Sequence, residues 1–256
     1  MYDIEMQEPS EEFARCWNAA GRHLSTSAQD GALSWLKANL TPPFLEHLSF
    51  RMGNQLFYVR VEDVNGNISG PGNPDGFRTI AKGCNGVPCR MPMRQTGSEW
   101  KPEYPGWGLI HADTGQPLDP VALISDEKIE MSDWEVHDFA VQVVRDYIVE
   151  KLGHELMSSQ GNPEVDPSIW FVGKDGPEWV VVRTVKYPEK EASLPKNITD
   201  IAANCTRLST IGHFASVAVA NSEDPFDPSG KVPPLPLWRG HGMFVSFEGL
   251  VPATVQ

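Results

Sequence analysis

A chain of 256 residues with 40% apolar content and a formal net charge of −13 is long enough to bury a core without disulfide or metal staples. No apolar run reaches the roughly 18 residues of a spanning helix, and the acidic opening MYDIEMQEPSEEF has neither the basic nor the apolar stretch of a secretory leader; a cytoplasmic location with no membrane span is expected. The charge is spread, −7 over residues 131–256 and −6 before them, with no Lys/Arg stripe, so a basic protein partner is a better electrostatic match than nucleic acid.

Ser10 ahead of EEFARCWNAAGRHL supplies an N-cap, acidic first-turn residues and apolar side chains at Phe13, Cys16, Trp17, Ala20 and Leu24, which predicts a helix. GALSWLKANL predicts a second helix, stopped by Thr41-Pro42-Pro43. LSFRMGNQLFYVRVEDV alternates about Gly53-Asn54 and predicts a β-hairpin. From residue 65 to about 106 the pattern dissolves into Gly, Pro, Asn and isolated charges, the expected seam between an N-terminal unit, 1–106, and a C-terminal unit, 107–256. SGPGNPDG within it is GxGxxxG broken by two prolines, which is not a dinucleotide fingerprint. Cys84 and Cys89 lack a second Cys/His pair at ligand spacing and read as ordinary loop thiols; Cys16 and Cys205 read as small buried apolar residues.

GWGLIHADTGQPLDPVALI predicts a strand, a turn and an extended stretch. SDWEVHDFAVQVVRDYIVEKLG is the strongest helix: Ser132 and Glu135 form a capping box, and Gly153 ends the run. Strands follow at HELMSSQ, SIWFVG and EWVVVRTVKY, then a helix at NITDIAANCTRLST capped by Asn197 or Thr199. GHFASVAVAN predicts a strand of alternating small and branched residues, PFDPSGKVPPLP an extended loop, and RGHGMFVSFEGL a last strand. The class is α+β: N-terminal helices plus a β-hairpin, then a C-terminal α-β-β-β-α-β core with extra strands.

That order, from Ser132 to Asn221, about half the chain, resembles the core of the restriction-endonuclease-like superfamily, the PD-(D/E)XK nucleases. The resemblance implies Glu135 as the acid on the first helix and Asp166 as the acid opening the second strand. On the third strand it puts Val181 where a metal-binding carboxylate belongs and Arg183 where a Lys belongs, a degenerate third motif. Mg²⁺ takes oxygen ligands, and valine offers none. Arg183 keeps a positive charge for phosphate but does not exchange its proton. An active nuclease would need Glu135, Asp166 and Glu178 as Mg²⁺ ligands, with Arg183 as phosphate clamp. Each also has a structural reading: Glu135 in its capping box, Asp166 as a turn opener before Pro167, Glu178 as a solvated strand-start acid, Arg183 as half of a surface ion pair.

No GxSxG elbow, P-loop, HExxH motif or CxxC pair occurs. Trp238, Arg239 and His241, in WRGHG, are the candidate partner-binding residues, because Trp and Arg dominate interface hot spots. The leading expectation is therefore a non-catalytic acidic protein with no cofactor or metal, of immunity or antitoxin type, that neutralises a basic effector such as a toxin nuclease. The alternatives are the Mg²⁺-dependent nuclease and a small-molecule enzyme with a pocket between the two halves.

Overall fold

The computed structural model describes residues 8–28, 32–40, 46–72, 74–227 and 229–253, in two compact units that meet in the chain at 129/130. The expected seam at 106/107 is displaced because strands beyond it belong to the first sheet. The class is mixed α and β, with helices and two mixed sheets. No helix among the described residues is long and apolar enough to cross a membrane.

The first unit opens with α1 (Glu11–Ser27), whose Ser10 Oγ accepts from the Phe13 N–H at 3.1 Å and whose Phe13, Cys16, Trp17, Ala20 and Leu24 are buried, the helical face read from the sequence. Its sheet runs β1 (Leu33–Lys37), β2 (Leu48–Met52), β3 (Gln55–Asp63), β4 (Val87–Thr96), β6 (Leu109–His111), β7 (Pro117–Leu118), with β5 (Glu99–Pro102) also on β4. The hairpin of β2 and β3 turns at Gly53, whose φ of +57° explains the glycine.

Two expectations fail here. LSWLK is the strand β1, paired with β2, and not a helix: Trp35 packs edge-on against Phe50 at 5.8 Å, and a short apolar run carries too little periodicity to separate the two states. The expected stop at Thr41-Pro42-Pro43 lies outside the described residues. The segment 65–106 is not irregular either: α2 (Pro74–Gly83) crosses between the parallel strands β3 and β4, and Cys89, Met91 and Met93 alternate into the core along β4. All four cysteines are free and buried.

The second unit contains α3 (Asp133–Asp146, continued by one wide π turn, Tyr147–Lys151), β8 (Glu155–Ser159), β9 (Ile169–Gly173), β10 (Gly176–Lys186), α4 (Ile198–Cys205), β11 (Gly212–Asn221), β12 (Met243–Ser246) and β13 (Val251–Pro252). Its sheet runs β12-β11-β10-β9-β8, β13 also lying on β11; β10 and β11 are parallel and the other neighbours antiparallel. One side of β10 and β11 (Val180, Val182, Ala215, Val217, Val219) packs on α3 through Val136, Ala140, Val141, Val144 and Ile148. The other side (Trp179, Val181, Phe214) packs on α4 through Ile198, Ile201 and Cys205. Cover on both faces is why WVVVR reads as a continuous apolar run. The single last strand expected at RGHGMFVSFEGL is broken in two: Ala218 pairs with Ser246 and Phe214 with Val251, so residues 247–250 bulge opposite 215–217.

Candidate functional site

The antiparallel register of β9 on β10, with Ile169 opposite Val180, carries on past the strand end and sets Asp166 across from Arg183. There the guanidinium donates both Nη1 and Nη2 to the carboxylate, at 2.9 and 2.5 Å, and Nη1 also donates to the Val182 carbonyl at 2.8 Å. Such a bidentate pair fixes both side chains and is stronger than a neutral hydrogen bond. The two are about a quarter (Arg183) and an eighth (Asp166) exposed, 26% and 12%, so this is not a solvated surface contact.

Glu135 sits in the first turn of α3, where Ser132 Oγ accepts its N–H at 3.2 Å and its carboxylate accepts from the Ser132 backbone, completing the capping box. The same carboxylate accepts from Arg239, Nε at 3.1 and 3.2 Å and Nη2 at 2.9 Å. Arg239 is 1% exposed in its side chain, so this charge is withdrawn from any surface. Burial raises the Glu135 carboxyl above its ordinary range, and the hydrogen bonds and charge of Arg239 oppose that rise. Glu178, near the start of β10, meets His213 of the neighbouring β11, Oε2 to Nε2 at 2.6 Å.

The structure therefore brings Asp166 and Arg183 together and sends Glu135 and Glu178 to separate partners, Arg239 and His213. No group of three or more His, Cys, Asp or Glu side chains that could hold a metal ion occurs among the described residues. Val181 is fully buried against α4 and has no oxygen to offer. The residues present do not fit Mg²⁺ as the alternative required, since each carboxylate is already held by its own internal side-chain partner.

Of the residues expected to bind a partner, His241 is exposed and Trp238 is half-buried, its backbone bridged to Glu130. Arg239 is corrected from a surface anchor to a buried counter-ion, because α3 places Glu135 within its reach. His137 on α3 takes no role from the sequence, where it stands beside Asp138 on the helix; in the structure it is 3% exposed, its Nε2 has no hydrogen-bond partner, and burial, reinforced by nearby Arg183, lowers its pKa to about 4. The signal available was its place on the apolar stripe, one residue after Val136 and three before Ala140.

Residues 134–253 match a family described as "Domain of unknown function (DUF8840)". The match covers most of the second unit. No curated protein matches the chain. No solved structure matches it.

Proposed function

We propose that the chain is a non-catalytic, acidic interaction protein whose second unit carries a nuclease-like α-β-β-β-α-β core with its acids committed to internal side-chain partners. It acts as an immunity or antitoxin-type protein that engages a basic effector such as a toxin nuclease. The observation that supports this reading is the fate of the three candidate carboxylates: Glu135, Asp166 and Glu178 are each held by an internal partner, Arg239, Arg183 and His213. The net charge of −13 adds long-range attraction for a cationic partner, which raises association rates.

Two experiments test it. Purified protein incubated with plasmid DNA and RNA in the presence of Mg²⁺ or Mn²⁺ is expected to leave both intact; cleavage that disappears in Asp166→Ala would establish the nuclease instead. Co-expression with a panel of toxic basic nucleases is expected to restore growth against at least one, with complex formation that weakens as salt is raised. Protection against none would remove the immunity reading.

A further inference from the structure

A groove of about 550 Å³ lies on the α4 side of the second sheet, lined by none of the six residues of the three internal pairs and independent of the function proposed above. Its origin is a mismatch of lengths. A helix of eight residues is about 12 Å long, while the ten residues of β11 extend about 33 Å, so α4 covers Phe214 and leaves the rest of that face to the Ala192 backbone, which donates to Ser216 Oγ at 2.8 Å, and to the groove. The side chains there are small: Ser216, Ala218 and Ala220 form a half-buried floor.

The walls are aromatic. Tyr187 and Phe226 meet edge to face at 5.0 Å, and Phe226 and Phe244 lie 5.8 Å apart. Phe226 and Phe244 are 38% and 56% exposed, an unusual outlay of aromatic surface. Phe226 is held at φ +50°, strained for a non-glycine residue, by buried Asp224, whose Oδ1 accepts the Phe226 N–H at 2.8 Å while Oδ2 accepts from Leu235 at 2.7 Å. The fold thus spends backbone strain to hold this ring at the groove. Among the described residues that line it, Glu189, Glu191 and Glu248 stand on the rim against the single cation Lys190, and none of these three carboxylates is ion-paired.

We infer that the groove is a binding site for a small organic cation: an amine or quaternary ammonium on an apolar body, the body on the Ser216/Ala218/Ala220 floor and the charge against the aromatic faces and the Glu rim. The volume is that of a small-molecule site. The ring faces carry negative potential that attracts a cation, and the unpaired carboxylates complement it; an anion would face a rim with an excess of two negative charges.

Isothermal titration with three probes of one chain length, octyltrimethylammonium, octanol and octanoate, separates the terms. The cation is expected to bind roughly tenfold or more tightly than the alcohol, and the carboxylate most weakly. Phe244→Ala and the groove-filling Ala218→Leu should each weaken the cation by roughly tenfold or more. The triple change Glu189→Gln, Glu191→Gln, Glu248→Gln should erase the preference over octanol, with melting curves showing all variants folded. Equal binding of all three probes, no binding of any, or an affinity unmoved by Phe244→Ala would each overturn the assignment. So would sedimentation showing a dimer that Phe244→Ala dissociates, since a second copy would then be the occupant.

Discussion

The two faces of the second sheet are built from the same strands and finished differently. On the α3 face, Val180, Val182, Ala215, Val217 and Val219 meet a helix of 14 residues that spans most of the strand length, and its first turn carries Glu135, whose charge Arg239 cancels. On the α4 face a helix of eight residues stops short, the floor of β11 is small, and the nearby carboxylates are left unpaired. What separates the faces is helix length against strand length, and with it the fate of the charges: where cover is complete a charge must be paired or removed, and where it is not, water keeps it.

The sharpest break in that contrast is Arg239→Ala, which strands Glu135 at the covered face. Removing one partner of a buried pair should cost about 3–5 kcal/mol in chemical denaturation, and Arg239→Lys should recover only part of it. A loss under about 1 kcal/mol would mean the pair is wetter than its burial indicates.

Next in size is a pH effect from His137. Its folded pKa of about 4 lies below the ordinary 6.5, so below pH 6.5 the unfolded chain takes up a proton that the folded chain refuses. Its contribution is present above pH 6.5 and is lost as pH falls toward 4, about 3 kcal/mol in all. The raised Glu135 carboxyl acts with the opposite sign, the folded chain gaining relative stability as pH falls through its range. Denaturation curves of the wild type and His137→Phe at pH 7 and pH 5 separate the two: the variant should lose the decline, and an unchanged decline would assign it elsewhere.

A matched pair of substitutions then compares the faces directly. Ala215→Leu, at a fully buried position on the α3 side, should cost about 1–3 kcal/mol by overpacking. Ala218→Leu, three residues on and on the open floor, should fall within about 0.5 kcal/mol of the wild type. Equal costs would mean the groove is as closed as the core.

Much of this fold is local enough to be legible. The Ser10 and Ser132 caps, the apolar stripes of α1 and α3, the Gly53 turn and the three strands through β10 all follow from neighbours in sequence. What escaped is long-range or disguised. Pro88 and Pro92 hide the period of two in β4, and Pro74 and Gly76 hide α2, although Phe77 and Ala81 carry the spacing of four that a buried helix face needs. LSWLK is a strand because β2 lies beside it, a fact absent from five residues.

The site was legible only as a set of residue types. Asp166 and Arg183 are nominated together by the family resemblance, but Glu135 and Arg239 are 104 residues apart and only the fold joins them. The groove did have a signal: the alternation in GHFASVAVAN puts Phe214, Ser216, Ala218 and Ala220 on one face, too small for a core and too apolar for a solvated surface.

The central claim is that Glu135, Asp166 and Glu178 each serve a separate internal partner and share no metal ion. Electron paramagnetic resonance of Mn²⁺ titrated into the protein tests it most directly. The account predicts the signal of free aqueous Mn²⁺ at every ratio, unchanged in Asp166→Asn. A single saturable site that Asp166→Asn abolishes would contradict it.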